Sequence, residues 1–235
     1  MKKDISSYRK SYLRESLLKK HLSKKPSDLF DKWFNDAKLI SKESEINAMT
    51  LSTVDQFGQP RGRIVLLKYY SLDEFVFFTN YNSEKAAAIE NNPHVSLSFF
   101  WEKLERQVII KGLAKKTSSN LNDKYFNSRP RGSKIGAVVS QNQSSVISSK
   151  RFLEKRYEVI ERKFNNKQII RPVNWGGYSV LAYEYEFWQG GVNRLHDRFR
   201  YSLNSKNEFN QNDLLNIHER RNKMFNSWNV VRLSP

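Results

Sequence analysis

Glu186-Phe187-Trp188-Gln189-Gly190-Gly191-Val192-Asn193-Arg194-Leu195-His196-Asp197-Arg198-Phe199 is the stretch around which the rest of the chain is arranged. It sets a Gly-Gly turn beside a Trp, two Arg and a His. Residues two apart on a β-strand share a face. A strand resuming directly after the turn therefore lines up Arg194, His196 and Arg198 on one side, with Leu195, Asp197 and Phe199 on the other. A cationic row beside a tight hairpin suits an anion or a cofactor. Composition alone favours a solvated strand face, so the decision rests on what surrounds it.

Working outward, Trp175-Gly176-Gly177 leads a strand that runs to Trp188, and Leu195 to Ser202 is expected to continue the sheet. Residues 203–226 are polar and Asn-rich. They read as an insertion in a loop, with one helix from Asp213 to Lys223. The last strand is Trp228 to Leu233.

Towards the N-terminus, Met49, Leu51 and Thr53 alternate with Thr50 and Ser52, which is strand periodicity. Asp55-Gln56-Phe57-Gly58-Gln59-Pro60 supplies the turn residues of a hairpin. Arg61 to Tyr70 and Glu74 to Asn80 are the next strands. A helix opens at Ser83 and ends at Asn91-Asn92-Pro93. Val95 to Trp101 and Glu105 to Lys115 are two more strands. Thr117 to Ser128 is helical and stops before Pro130, because the residue before Pro is pushed out of the α region. Ser133 is expected to cap a short helix running to about Val139, and Ser148 to Phe164 reads as a long amphipathic helix. Pro26-Ser27-Asp28 opens a first helix with Leu29, Phe30, Trp33, Phe34 and Ala37 on its apolar face. Residues 1–24 are polar and basic and read as an arm, mobile when alone. Antiparallel strands with helices between them give a mainly β fold with peripheral helices, expected as a single domain over 25–235.

Forty-one basic residues against 24 acidic give a formal charge of +17. That attracts polyanions and phosphorylated metabolites without choosing between them. Basic residues are spread along the chain and no nucleic-acid recognition motif occurs, so a nucleic-acid module ranks low. There is no Cys, which excludes thiol chemistry, and the four His have no metal-ligand spacing, so no metal is expected. Met1 to Ser6 is followed by no apolar signal region, and no apolar run is long enough for a membrane helix. A cytoplasmic protein is the expectation. GxGxxG, GxxxxGK[ST] and GxSxG are all absent, so any phosphate must be held by side chains and helix N-termini.

Clusters of such side chains recur. Arg63-Ile64-Val65-Leu66-Leu67-Lys68 has a cation at each end; Thr79 to Lys85 is a donor-rich strand-to-helix turn; Tyr125, Arg129 and Ser133 recur every four residues. Singly, each reads as a solvated end, a capped helix or a surface pair. With Phe78-Thr79-Asn80, Leu104-Glu105-Arg106-Gln107-Val108, Ser128-Arg129-Pro130, Gln143-Ser144-Ser145, Trp175-Gly176-Gly177, Glu186 to Gly190 and Arg194 to Arg198 taken in order, the chain resembles the pyridoxamine 5′-phosphate oxidases.

The resemblance implies an FMN-binding split β-barrel, a homodimer with FMN at the interface, and oxidation of pyridoxamine or pyridoxine 5′-phosphate by O₂. Carried over residue by residue, FMN would be met by Arg63, Ile64, Val65, Leu66, Leu67, Lys68, Phe78, Thr79, Lys85, Gln107, Gln143, Ser144, Trp188 and Arg198. The substrate phosphate would lie among Lys68, Tyr125, Arg129 and Ser133, with Arg194 and His196 over its ring and Arg9 and Tyr12 from the closing arm. A flavin binder without oxidase activity would not need that substrate-side set. Two positions depart from expectation. Where the family usually has a basic residue before the helix lysine, this chain has Glu84, expected to turn away from the FMN phosphate. Arg63 and Lys68 are five apart, so one regular strand would face them oppositely.

Overall fold

The computed structural model describes residues 2–41, 45–203 and 228–235; the helix expected at 213–223 lies outside them. Among these described residues nine strands and five α-helices follow one another. They are α1 Pro26–Ile40, β1 Ala48–Val54, β2 Pro60–Leu66, β3 Tyr69–Ser71, β4 Glu74–Asn80, α2 Glu84–Asn91, β5 His94–Trp101, β6 Arg106–Lys116, α3 Ser119–Ser128, α4 Arg131–Val139, α5 Lys150–Lys163, β7 Trp175–Gln189, β8 Asp197–Leu203 and β9 Trp228–Leu233. The sheet order is β2-β1-β5-β6-β7-β4-β3, with β8 pairing to β7 and β9 to β8. The 15-residue β7 is the branching strand. Its first half pairs antiparallel with β4, Trp175 opposite Asn80, and its second half with β8, Gln189 opposite Asp197.

Sequence chemistry accounts for the ends of these elements. Asp55 closes the β1–β2 hairpin: its carboxylate accepts from the Phe57 and Gln59 N–H groups at 2.9 Å, and Gly58 takes φ +78°. Pro26 starts α1, where its missing N–H is no loss. Ser118 and Ser149 cap α3 and α5, accepting from Leu121 and Phe152. Ser133 caps nothing. It lies inside α4, whose first residue follows Pro130.

The chain divides into two compact units, 1–50 with 96–111 and 182–235, and 51–95 with 112–181. The first is built on aromatic packing. Phe30 meets Phe99 at 5.2 Å, Trp33 meets Phe187 at 5.2 Å and Phe187 meets Tyr201 at 5.7 Å, all buried. In the second unit, Phe126, Ile135, Val138, Val139, Ile169 and Trp175 form one cluster, which fixes α3 and α4 beside the start of β7. Gly176 lies under the Tyr81 hydroxyl and the Asn122 amide; any side chain there would collide with both.

Two expected strands are shorter than the sequence pattern implied. The segment 61–70 breaks after Leu66: Leu67 turns into the core and the Lys68 N–H bonds to the Val76 carbonyl at 2.8 Å. Arg63 and Lys68 therefore never share a regular strand, which removes the conflict over their facing. The segment after Gly190-Gly191 is a 3₁₀ turn, Val192–Arg194, with Asn193 and Arg194 both left-handed at φ 55° and 63°. Strand β8 begins only at Asp197. The alternation expected to put Arg194, His196 and Arg198 on one face does not exist.

Candidate active site

In the second unit, β2, β4, α2, α3, α4 and the start of β7 surround a cavity of about 640 Å³. Its walls combine apolar surface (Ile64, Val65, Leu66) with Lys68, Lys85, Tyr125, Arg129 and Ser133. The Phe78 ring stacks on Tyr125 at 4.0 Å and on Trp175 at 5.5 Å. Arg129 lies with its guanidinium 4.6 Å from the Trp175 ring centre. One nitrogen of that guanidinium, Nη1, is buried with no hydrogen-bond partner among the described residues. An orphaned buried charged donor costs at least about 1–3 kcal/mol, and an anion in the cavity would satisfy it. Burial pulls the Arg129 pKa below its ordinary value, and burial raises that of Tyr125, whose neutral hydroxyl remains a donor.

A second cluster gathers at the start of α2. The Lys85 ammonium donates to Gln143 Oε1 at 2.9 Å, and the Thr79 hydroxyl lies 3.5 Å from the same oxygen. Ser144, left-handed at φ 77°, accepts from the Glu84 N–H at 3.4 Å. Burial, then Arg63 and Arg61, brings the Lys85 pKa down to about 8. Glu84 turns its carboxylate onto Arg61. Arg63 reaches across to β1, donating to Thr53 Oγ1 at 2.7 Å and to the Leu51 carbonyl at 3.1 Å.

The first unit carries its own group. Tyr12 meets Trp188 edge-on at 5.5 Å and His196 at 5.7 Å, and Trp188 lies 4.7 Å from His196. The Gly191 N–H donates to His196 Nδ1 at 3.1 Å, so the neutral ring carries its proton on Nε2. Burial, then Arg194 and Arg198, lowers the His196 pKa. Arg198 is held by Glu186 at 2.9 Å and donates to the Ser234 carbonyl at 2.8 Å. Arg194 is exposed, and Gln107 is half-buried on β6. Arg9 is exposed, and its guanidinium donates to the nearby Ser6 carbonyl at 3.0 Å.

The cavity thus brings together Ile64, Val65, Leu66, Lys68, Phe78, Thr79, Lys85, Tyr125, Arg129, Ser133 and Gln143. Arg63, Leu67 and Ser144 stand outside its walls. Sequence reasoning missed Asn80 and Trp175 as site residues. Asn80 is 4% exposed and donates to the Ser140 and Gln141 carbonyls at 2.7 and 3.1 Å, which holds the Gln143 loop in place. Its signal was its place in Phe78-Thr79-Asn80, after a strand that ends in polar residues.

The branched antiparallel sheet defines a split-barrel protein, with a cation-lined, aromatic cavity in its second unit. Two of the solved structures with this fold can be named. One is PhzG from Burkholderia lata in complex with tetrahydrophenazine-1-carboxylic acid (TM-score 0.78, 21% identity, 94% of this chain and 99% of that one). The other is a pyridoxamine 5′-phosphate oxidase-related, FMN binding protein from Nostoc punctiforme (TM-score 0.66, 13% identity, 91% and 100%). Residues 38–164 match the family described as pyridoxamine 5′-phosphate oxidase, and 175–235 match the pyridoxine 5′-phosphate oxidase C-terminal dimerisation region. The pyridoxine/pyridoxamine 5′-phosphate oxidase of Flavobacterium johnsoniae is 54% identical over 86% of this chain and 94% of its own length. That of Rippkaea orientalis is 46% identical over 99% and 100%. The chain belongs to the pyridoxamine 5′-phosphate oxidase family.

Proposed function

We propose that the protein is an FMN-dependent oxidase that converts pyridoxamine or pyridoxine 5′-phosphate to pyridoxal 5′-phosphate, with O₂ as acceptor. It acts in vitamin B6 salvage and biosynthesis as a homodimer with FMN at the subunit interface. Residues 25–235 form the FMN-binding domain, residues 1–24 are an arm over the substrate, and the protein works in the cytoplasm. Among the described residues no helix is long and apolar enough to cross a membrane, and no cluster of metal-binding side chains occurs.

The observation that carries this reading is the buried, unpartnered Nη1 of Arg129, in one cavity with Lys68, Tyr125 and Ser133. A phosphate monoester carries most of two negative charges at pH 7. Two cations balance it, and two hydroxyls fix its orientation. FMN fits by the same chemistry. A cavity with an aliphatic wall and a lysine at a helix start suits a flat, amphipathic, phosphorylated ring system.

Bound FMN supplies the redox chemistry, and the protein supplies placement and electrostatics. Lys85, Thr79 and Gln143 bind on the cofactor side, with Ser144, Arg63, Gln107, Trp188 and Arg198 as further contacts. Arg129, Lys68, Tyr125 and Ser133 anchor the substrate phosphate, which fixes how far the oxidised carbon lies from its acceptor. Arg194 offsets charge over the pyridine ring. His196, neutral at pH 7 with a proton on Nε2, offers a donor rather than a second positive charge. Oxidation of the amine substrate leaves an imine, which water hydrolyses to the aldehyde and ammonia.

The test is direct. Purified protein should be yellow and should release hydrogen peroxide when pyridoxamine 5′-phosphate is added. Yellow protein that releases none with either phosphorylated vitamer would make it a flavin binder instead.

A further inference from the structure

The arm reaches its place through its backbone. Residues 10–17 form no helix or strand, so no helix or sheet ladder supplies acceptors for their N–H groups. Two adjacent ones, on Leu13 and Arg14, donate to the same atom, Glu105 Oε2, at 2.9 and 3.1 Å. Glu105 is 4% exposed and left-handed at φ 55°, closing the 3₁₀ turn Glu102–Leu104. Lys10 Nζ stands 3.8 Å from its other oxygen. Further along, Glu15 meets Arg106 at 2.6 Å, and the Leu17 N–H donates to Asp197 Oδ2 at 2.9 Å. A carboxylate that accepts two successive main-chain N–H groups reads the path of the chain, whatever its side chains, and such charge-assisted bonds are the strong ones.

The main chain of Glu105 does a second thing. Its carbonyl accepts from the Gly190 N–H at 2.7 Å and from Gln189 Nε2 at 3.2 Å. One residue therefore ties down both the arm that carries Tyr12 and the corner that leads to His196. The Tyr12 ring lies directly on Gly190: a Cβ there would come within 2.7 Å of Tyr12 Cγ.

We propose that Glu105 is a positioning residue for the reaction, its carboxylate holding Tyr12 against His196 through the backbone of the arm. This rests on the reading that Tyr12 and His196 face the substrate. Neither Glu105 nor Asp197 meets the substrate in it.

The experiment compares wild-type holoenzyme with Glu105→Ala, Glu105→Gln and Leu13→Pro. It measures hydrogen exchange over residues 8–18 and steady-state oxidation of pyridoxamine 5′-phosphate. In Glu105→Ala the amides of Leu13 and Arg14 should exchange at least about tenfold faster. KM should rise about tenfold, with kcat within about threefold of wild type. Glu105→Gln keeps an acceptor oxygen and should restore most of both. Leu13→Pro removes one donor from the exposed arm and leaves the buried carboxylate intact, so it should raise KM even if Glu105→Ala fails to fold. Wild-type arm protection in Glu105→Ala, or a loosened arm with unchanged KM in either variant, overturns the proposal. Wild-type enzyme that releases no peroxide defeats the oxidase reading and the positioning role together, while the exchange data still show whether Glu105 holds the arm.

Discussion

Lys85 donates to Gln143 at 2.9 Å while its own pKa is pulled down to about 8. The amide oxygen cannot offset the burial and the two neighbouring guanidiniums that disfavour the charge. An anion could. FMN phosphate should therefore bind best to protonated Lys85. As pH rises through about 8 the free site loses its proton, and each further pH unit should cost about tenfold in affinity until the bound-state pKa is reached. Titrating apoprotein with FMN from pH 6.5 to 9.5 checks this. Lys85→Met should bind weakly at every pH and show no step; a wild-type curve flat across pH 8 would remove Lys85 from the phosphate site.

Arg129→Ala should raise KM for pyridoxamine 5′-phosphate about ten- to hundredfold, the loss expected for a hydrogen bond to a charged group. The KM for unphosphorylated pyridoxamine should hardly move. Arg129→Lys should fall between, because an ammonium keeps the charge but not the planar stack on Trp175. Equal losses on both substrates would place Arg129 elsewhere in the mechanism.

Glu84→Ala should free Arg61 and tighten FMN binding severalfold, and Glu84→Arg should tighten it further, with both gains shrinking as salt is added. The pair is more than half exposed on both sides, so fold stability should change little. Equal FMN affinity in apoprotein titrations of all three chains would show that this corner never sees the phosphate.

His196 has its pKa held below 6.5, so its neutral form is the one the fold prefers. Between its folded pKa and 6.5 the unfolded chain binds more protons, so this contribution to stability is present above pH 6.5 and is lost as pH falls. kcat/KM should show an acid limb with an apparent pKa below 6.5. His196→Asn should flatten that limb and lower the rate at pH 7.5; an unchanged limb would assign it to another group.

Much of this was legible in the chain itself. The alternation at Met49, Leu51 and Thr53 became a strand with those three buried, and β4 and β9 begin and end where their patterns do. Such signals are local. The corner at 192–196 is set by left-handed residues and by a bond from Gly191 to the His196 ring, neither of which leaves a period in the sequence. Spacing by twos predicted a shared face for Arg194, His196 and Arg198. Their gathering depends on a turn instead. Lys68 is similar: the strand stops because Leu67 is drawn into the core. The roles of Asn80 and Glu105 lay further from reach, since their partners are about 60 and 90 residues away.

Two partners of the arm and the segment after it lie late in the chain. Leu17 bonds to Asp197, 180 residues on, and Ser23 accepts from the Tyr201 hydroxyl, 178 residues on. Translation therefore makes the arm well before these two partners. Until they emerge, that part of the segment has no partner. A polar, basic segment can wait in water, where an apolar one would find wrong partners. The composition that made residues 1–24 look unstructured thus suits a segment that is made before the partners it needs.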